Sequence, residues 1–172
     1  MKISKASFKD LNQCWQLRLE ATKYLRSLGV DQWQYEDPTI EDFKHDIEHE
    51  RLYVLKDKSE MIGMFALLRD VEPTYKDIKG SWNQSDPYYT IHRLALNPLF
   101  QGRGHAKKML DYVEKIAVKE HCYYLRIDTH PNNLKAQALF KNQGYQYCGT
   151  IMLTIKHGDQ LRYAYDKRLK GR

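Results

Sequence analysis

The chain is 172 residues long, 42% apolar and 29% charged, with a formal net charge of +6. That length suits a single domain (1–172) with a sizeable core, and the lack of any run of about 18 apolar residues excludes a membrane-spanning helix. Three cysteines without a CxxC pair (Cys14, Cys122, Cys148) exclude a disulfide framework and a cysteine zinc site; no metal is expected.

From the N-terminus, "KISKA" alternates around Ile3 as a short strand does. Ser7 and Asp10 have capping-box spacing, so a helix is predicted from Ser7 to about Leu28, ended by Gly29. "VDQWQYEDP" reads as a loop carrying Trp33 and Tyr35. Thr39 and Asp42 repeat the capping box, with Phe43 and Ile47 on the apolar face of a short second helix. "RLYVLKD" and "MIGMFALLRD" are strands joined at Lys58-Ser59, a hairpin by length. "VEPTYKDIKGSWNQSDP" is a polar, irregular stretch expected to be a surface loop. "YYTIHRLAL" is a strand closed by Asn97-Pro98.

Gly104 to His121 carries Ala106, Met109, Leu110, Val113, Ile116 and Ala117 as a helical stripe. "YYLRIDTH" is a strand. Pro131-Asn132-Asn133 opens a helix running to Asn142 and stopped by Gly144. "YQYCGTIMLTI" and "LRYAYDKRL" are strands around the turn "KHGDQ". The order β-α-α-β-β-β-α-β-α-β-β predicts a mixed α/β layer about one sheet with a right-handed βαβ unit at its centre.

The positive charges are interleaved with acids, as in "DFKHDIEHERLYVLKDKSE", and only the tail "DKRLKGR" is dense. A mixed, solvated surface is the expectation, with no nucleic-acid or membrane partner. The opening "MKISKASFKDL" has no apolar signal core, and a cytoplasmic protein is expected.

The stretch that carries chemistry is "NPLFQGRGHAKKML". A glycine turn before a helix exposes the first helical N–H groups, which have no intrahelical partner and attract anions. Arg103 and Lys107 add charge at its rim. It is neither a Walker A loop nor a GxGxxG fingerprint, and by itself it reads equally as a helix cap with incidental glycines.

Gln101-Gly102-Arg103-Gly104-His105-Ala106 fits Q/R-x-x-G-x-G/A and resembles the acetyl-CoA pyrophosphate loop of the GNAT N-acetyltransferases. "NNLKAQALFKNQGY" resembles that family's later N-x-x-A-x-x-L-Y-x-x-x-G-F stretch. The similarity covers essentially the whole chain. It implies a GNAT-like α/β fold: a mixed, mostly antiparallel sheet, a central βαβ unit and helices on both faces. It implies transfer of an acetyl group from acetyl-CoA to a primary amine of a small molecule or peptide, directly in a ternary complex. The alternative is an acyl-CoA-binding module without turnover. A homodimer is compatible with the family, although the sequence shows no interface for one.

By this resemblance, Gln101 to Ala106 cradle the pyrophosphate through main-chain N–H groups. Leu94, Ala95 and Leu96 form the strand edge that bonds the pantetheine arm, at a bulge whose amide polarises the thioester. Asn133 stands beside the arm. Phe140 occupies the place where many relatives have tyrosine; it has no proton to give the departing thiolate, and ring packing on the cofactor is the expectation. Tyr124 and Tyr145 are nearby in sequence.

A base is needed because a protonated amine is not nucleophilic. His92, leading into the bulge, and His130, ending the neighbouring strand, are the candidates, with Asp128 as a relay. The acceptor is expected between two segments, one bearing Trp33 and Tyr35, the other Trp82 and Tyr88. Anchoring of these loops on the core is the competing role for the rings.

Overall fold

The computed structural model describes residues 1–69 and 72–171. Asp70, the expected end of a strand, Val71, the expected start of the polar stretch, and Arg172 lie outside the described residues.

β1 (Lys2–Lys5) leads through a 3-10 turn at Phe8–Asp10 into α1 (Leu11–Ser27). The Ser7 N–H donates to Asp10 Oδ2 at 2.7 Å, but the first turn tightens to 3-10, so the α-helix itself starts at Leu11. α2 (Ile40–Glu48) has the full capping box: Thr39 N–H donates to Asp42 Oδ2 (2.6 Å) and Asp42 N–H to Thr39 Oγ1 (3.2 Å). β2 (Leu52–Asp57) and β3 (Glu60–Leu68) form the predicted hairpin.

After a two-residue strand β4 (Lys79–Gly80) come β5 (Tyr89–Leu96), α3 (His105–Lys119) and β6 (Tyr124–Thr129). The chain closes with α4 (Leu134–Asn142), β7 (Gln146–Met152) and β8 (Leu161–Arg168). The strands form one sheet in the order β1-β2-β3-β5-β6-β8-β7-β4, antiparallel except for the β5–β6 pair. The expected architecture is present. α3 and α4 pack on one face through Met109, Leu110, Val113 and Phe140, over Ile62, Phe65, Leu125 and Ile127. α1 and α2 pack on the other through Cys14, Leu17, Phe43 and Ile47, over Leu52, Val54, Met64 and Ala66.

Two expectations need correction. The polar stretch after β3 is more than a surface loop. It forms a 3-10 turn at Pro73–Asp77, buries Tyr75, and adds β4 to the sheet edge beside β7. Polar residues hid this because the buried contacts come from isolated aromatics rather than a periodic run. The strand expected over 145–155 ends at Met152, and residues 153–157 turn away to border a cleft.

Candidate active site

The parallel pair holds for only three registers: Tyr89–Leu125, Thr90–Arg126 and Ile91–Ile127. Beyond Ile91, β5 stays with β3, pairing His92 with Ala66, Ala95 with Met64 and Leu96 with Gly63. Beyond Ile127, β6 stays with β8, pairing Asp128 with Ala164 and Thr129 with Tyr163. The two strands therefore part. A bulge in β5 sets Arg93 and Leu94 opposite the single residue Phe65, with Arg93 at φ +53. The opening lies in a cleft of about 600 Å³.

The glycine turn follows the splayed end of β5 and opens α3. Gly102 (φ +74) and Gly104 (φ +75) adopt the left-handed region, and Gly104 caps α3. A Cβ added at either position would meet nothing within 4 Å, so both face open space. The Lys108 N–H donates to the Gly104 carbonyl at 3.0 Å, which leaves the amides of the first helical turn ahead of it unclaimed by the helix. This fits an anionic group approaching the backbone. The side chains of the turn are engaged elsewhere. Lys107 pairs with Asp111 (2.7 Å), Arg103 lies over the Phe100 ring, and His105 sits against the same ring. Gln101 accepts from Lys135 Nζ at 3.2 Å.

The cleft itself is lined by side chains. His92 Nε2 lies 3.1 Å from Glu72 Oε2. That hydrogen bond, ahead of the burial that opposes it, holds the Glu72 carboxyl down to about 2, so Glu72 is ionised. An ionised Glu72 accepts only, which puts the neutral imidazole's proton on Nε2 and its lone pair on Nδ1. Asp128 Oδ2 accepts from the Tyr75 hydroxyl at 2.7 Å. Burial raises the Asp128 carboxyl, with His92 and the Tyr75 bond working against that rise. His92, Asp128, Leu94, Asn133 and Phe140 all line the cleft, as do Trp33 and Tyr35. Tyr35 is 54% exposed and faces the His157 ring across the mouth, with centroids 5.9 Å apart.

Several predicted residues are placed elsewhere. His130 is 3% exposed; its Nδ1 accepts from Asn132 N–H (3.0 Å) and its Nε2 donates to Asp159 (3.0 Å). Both nitrogens are used in tying the end of β6 to the turn before β8, so it offers no lone pair as a base. Trp82 and Tyr88 do not line the cleft and sit in an aromatic cluster about Arg126, whose guanidinium is 4.1 Å and 3.9 Å from the two ring centroids; the Tyr88 hydroxyl reaches the cleft's rim by accepting from Glu72 N–H at 3.2 Å. Ala95 and Leu96 are on the β5 edge as expected, Ala95 packing toward α1 and α2 and Leu96 toward α3. Asn133 caps α4, its Oδ1 accepting from Ala136 N–H at 3.2 Å. Phe140 is buried against Tyr145 and Tyr165.

Other contributors have no local signature in the sequence. Glu72 and Tyr75 come from the polar stretch. Buried Arg18 of α1 holds the 31–38 loop by donating to the carbonyls of Tyr35 (2.7 Å) and Pro38 (3.2 Å). Gln32 Oε1 accepts from Thr129 Oγ1 and His130 N–H, joining that loop to the end of β6. Among the described residues no three His, Cys, Asp or Glu side chains converge to hold a metal ion, and no helix is long and apolar enough to cross a membrane.

The acetyltransferase (GNAT) family model matches residues 11–145, and the chain belongs to that family. A GNAT-family acetyltransferase from Streptococcus agalactiae is 30% identical, with a TM-score of 0.87 over 99% of this chain and 96% of that one. At 18% identity, the paia N-acetyltransferase of Thermoplasma acidophilum, solved with coenzyme A, shares the fold (TM-score 0.72; 97% and 98% covered). The ribosomal-protein-S18-alanine N-acetyltransferase of Escherichia coli does so at 15% identity (TM-score 0.70; 99% and 95% covered). No curated protein matches.

Proposed function

We propose that this protein moves the acetyl group of acetyl-CoA to a primary amine of a small molecule or peptide. The observation that carries this is the splay of β5 from β6, with the His92–Glu72 pair in its cleft and the chain running from the end of β5 into the unclaimed amides of α3. The glycine turn would hold the pyrophosphate, with Gly102 and Gly104 admitting it to the backbone and the first amides of α3 donating. Acetyl-CoA would supply the activated thioester. The Leu94 amide, at the bulge, would donate to the thioester oxygen as charge grows there. His92 would take the amine proton on Nδ1, while Glu72 keeps the ring in that tautomer and stabilises its cation. The nitrogen–carbon bond then forms, the carbon–sulfur bond breaks, and the thiolate takes its proton from solvent.

The charge of the cleft supports a cationic acceptor. Six carboxylates line it (Asp31, Glu36, Asp37, Asp42, Glu72, Asp128) against three Arg and Lys (Arg93, Lys156, Arg162), in a chain whose net charge is +6. Phe140 favours a second reading, acyl-CoA binding without turnover, because no hydroxyl stands there to protonate the thiolate. Calorimetric titration with acetyl-CoA, followed by thiol release across an amine panel, separates the two. Binding with release for one class of amine is expected. Binding without release for any amine selects the second reading, and no binding overturns both.

A further inference from the structure

Arg93 sits in the β5 bulge at φ +53, a region that residues bearing a Cβ seldom adopt. Bulges with a left-handed residue at this place usually put glycine there, and any other residue persists only where its surroundings hold it. α2 supplies that hold. Arg93 Nη1 is 3.0 Å from Asp46 Oδ2, and Nη2 is 3.9 Å from Asp42 Oδ1. The guanidinium also lies 5.9 Å from the centroid of the Phe43 ring. The Asp46 side chain is 2% exposed and its Oδ2 accepts no hydrogen bond among the described residues, so the Arg93 guanidinium beside it, 17% exposed, supplies countercharge that the carboxylate cannot replace with water. Asp42 belongs as well to the capping box that starts α2, where the 31–38 loop ends. α2 thus meets the bulge through Asp42 and Asp46 and the end of the 31–38 loop through its capping box.

We propose that Arg93 is a positioning residue. Its ion pair with Asp46 holds the bulge in the left-handed conformation that aims the Leu94 amide at the thioester oxygen. This rests on the acetyl-transfer reading above. The side chain acts through the backbone it anchors, and Asp46 acts with it from outside the cleft. A displacement of the amide by about 1 Å costs a factor approaching a hundred in rate.

The test compares Arg93→Ala, Arg93→Gly and Asp46→Asn in kcat, in KM for each substrate and in thermal unfolding. Arg93→Ala is expected to lower kcat about tenfold to a hundredfold, with both KM values within about twofold. Arg93→Gly removes the same side chain but accepts the left-handed backbone, and should recover most of the loss. Asp46→Asn should follow Arg93→Ala, and carries the comparison if that variant does not fold. A glycine variant as poor as the alanine one, with a raised KM for the amine, would mean that Arg93 binds the acceptor directly and would overturn the proposal. Amide NMR provides a readout independent of turnover. The Leu94 N–H resonance should shift when acetyl-CoA replaces CoA in the wild type and should not in Arg93→Ala. An equal shift in both proteins, or none in a wild type that binds acetyl-CoA, overturns the proposal. Absence of turnover with a Leu94 shift present would sink the transfer reading and leave the bulge assignment standing. No acetyl-CoA binding would sink both.

Discussion

The proposed site has a main-chain border, the turn from Pro98 to Lys107 that follows the splayed end of β5, and a side-chain border, the cleft lined by residues 31–38, Asp42 and Glu72. At the first border the side chains are committed to one another: Lys107 to Asp111, Arg103 and His105 to Phe100, Gln101 to Lys135. Backbone amides and two left-handed glycines are what it offers. At the second border the backbone is spoken for, with Arg18 holding the carbonyls of Tyr35 and Pro38, and the side chains of Glu72, His92 and Asp128 face the cleft. A group shared by many substrates suits backbone recognition, since amides cannot be exchanged by mutation. A variable acceptor suits side chains, which can. The two borders should therefore fail under different substitutions.

The largest effect is expected on the side-chain border. His92→Ala removes the proposed base and should lower kcat about a hundredfold to ten-thousandfold, with acetyl-CoA affinity unchanged by calorimetry. The defect should shrink as pH rises toward the amine's own pKa, where free amine needs no base. A pH–rate profile of unchanged shape would remove His92 from the mechanism.

The main-chain border should respond oppositely. Gly104→Asp places a Cβ and a carboxylate in the open space before the α3 amides, at φ +75. Acetyl-CoA affinity should fall well over tenfold, more than about 1.4 kcal/mol. Gln101→Ala and Lys107→Ala, which trim only side chains, should leave it within about threefold, because neither alters an amide and the Lys107 charge is already paired. Equal losses for Gly104→Asp and Lys107→Ala would erase the distinction between the borders.

The same distinction decides what could be read in the sequence. The glycine turn, the α3 stripe and the capping box of α2 are local patterns that lie where expected, and the Ser7 box is present although it opens a 3-10 turn before α1. The bulge and Leu94 came only with the family resemblance, since no local pattern marks a register shift. Glu72, Tyr75, Gln32 and Arg18 had no signal at all. Glu72 meets His92 across 20 residues, and Tyr75 meets Asp128 across 53, so only the folded sheet creates those pairs. His130 and Trp82 carried side chains suited to a site, but their partners, Asp159 for one and Arg126 for the other, place them in the scaffold.

A smaller effect separates the two borders by pH. The Glu72 carboxyl is held below its ordinary 4.5, at about 2, chiefly by the His92 hydrogen bond. A depressed carboxyl stabilises the fold above its ordinary pKa, and that contribution disappears as pH falls through the folded value. Wild-type stability should therefore drop between pH 4.5 and 2 by an amount of the order of 1 kcal/mol from this group, screening included. Glu72→Gln should show a flatter curve over that window in denaturant titrations. An identical slope in both proteins would mean that the pair is not formed in solution.

The smallest effect is expected at Phe140. Its ring lines the cleft and is otherwise buried against Tyr145 and Tyr165. Phe140→Tyr adds a hydroxyl donor at this position. A thiolate of CoA leaves readily without help, so the proposed reaction should not be limited by its protonation, and kcat should change less than about threefold. The solvent isotope effect on kcat should be unchanged as well. A gain above about tenfold, with an altered isotope effect, would show that thiolate protonation limits turnover in the natural protein. Phe140 would then act as a brake on the chemistry, beyond packing the ring against β8.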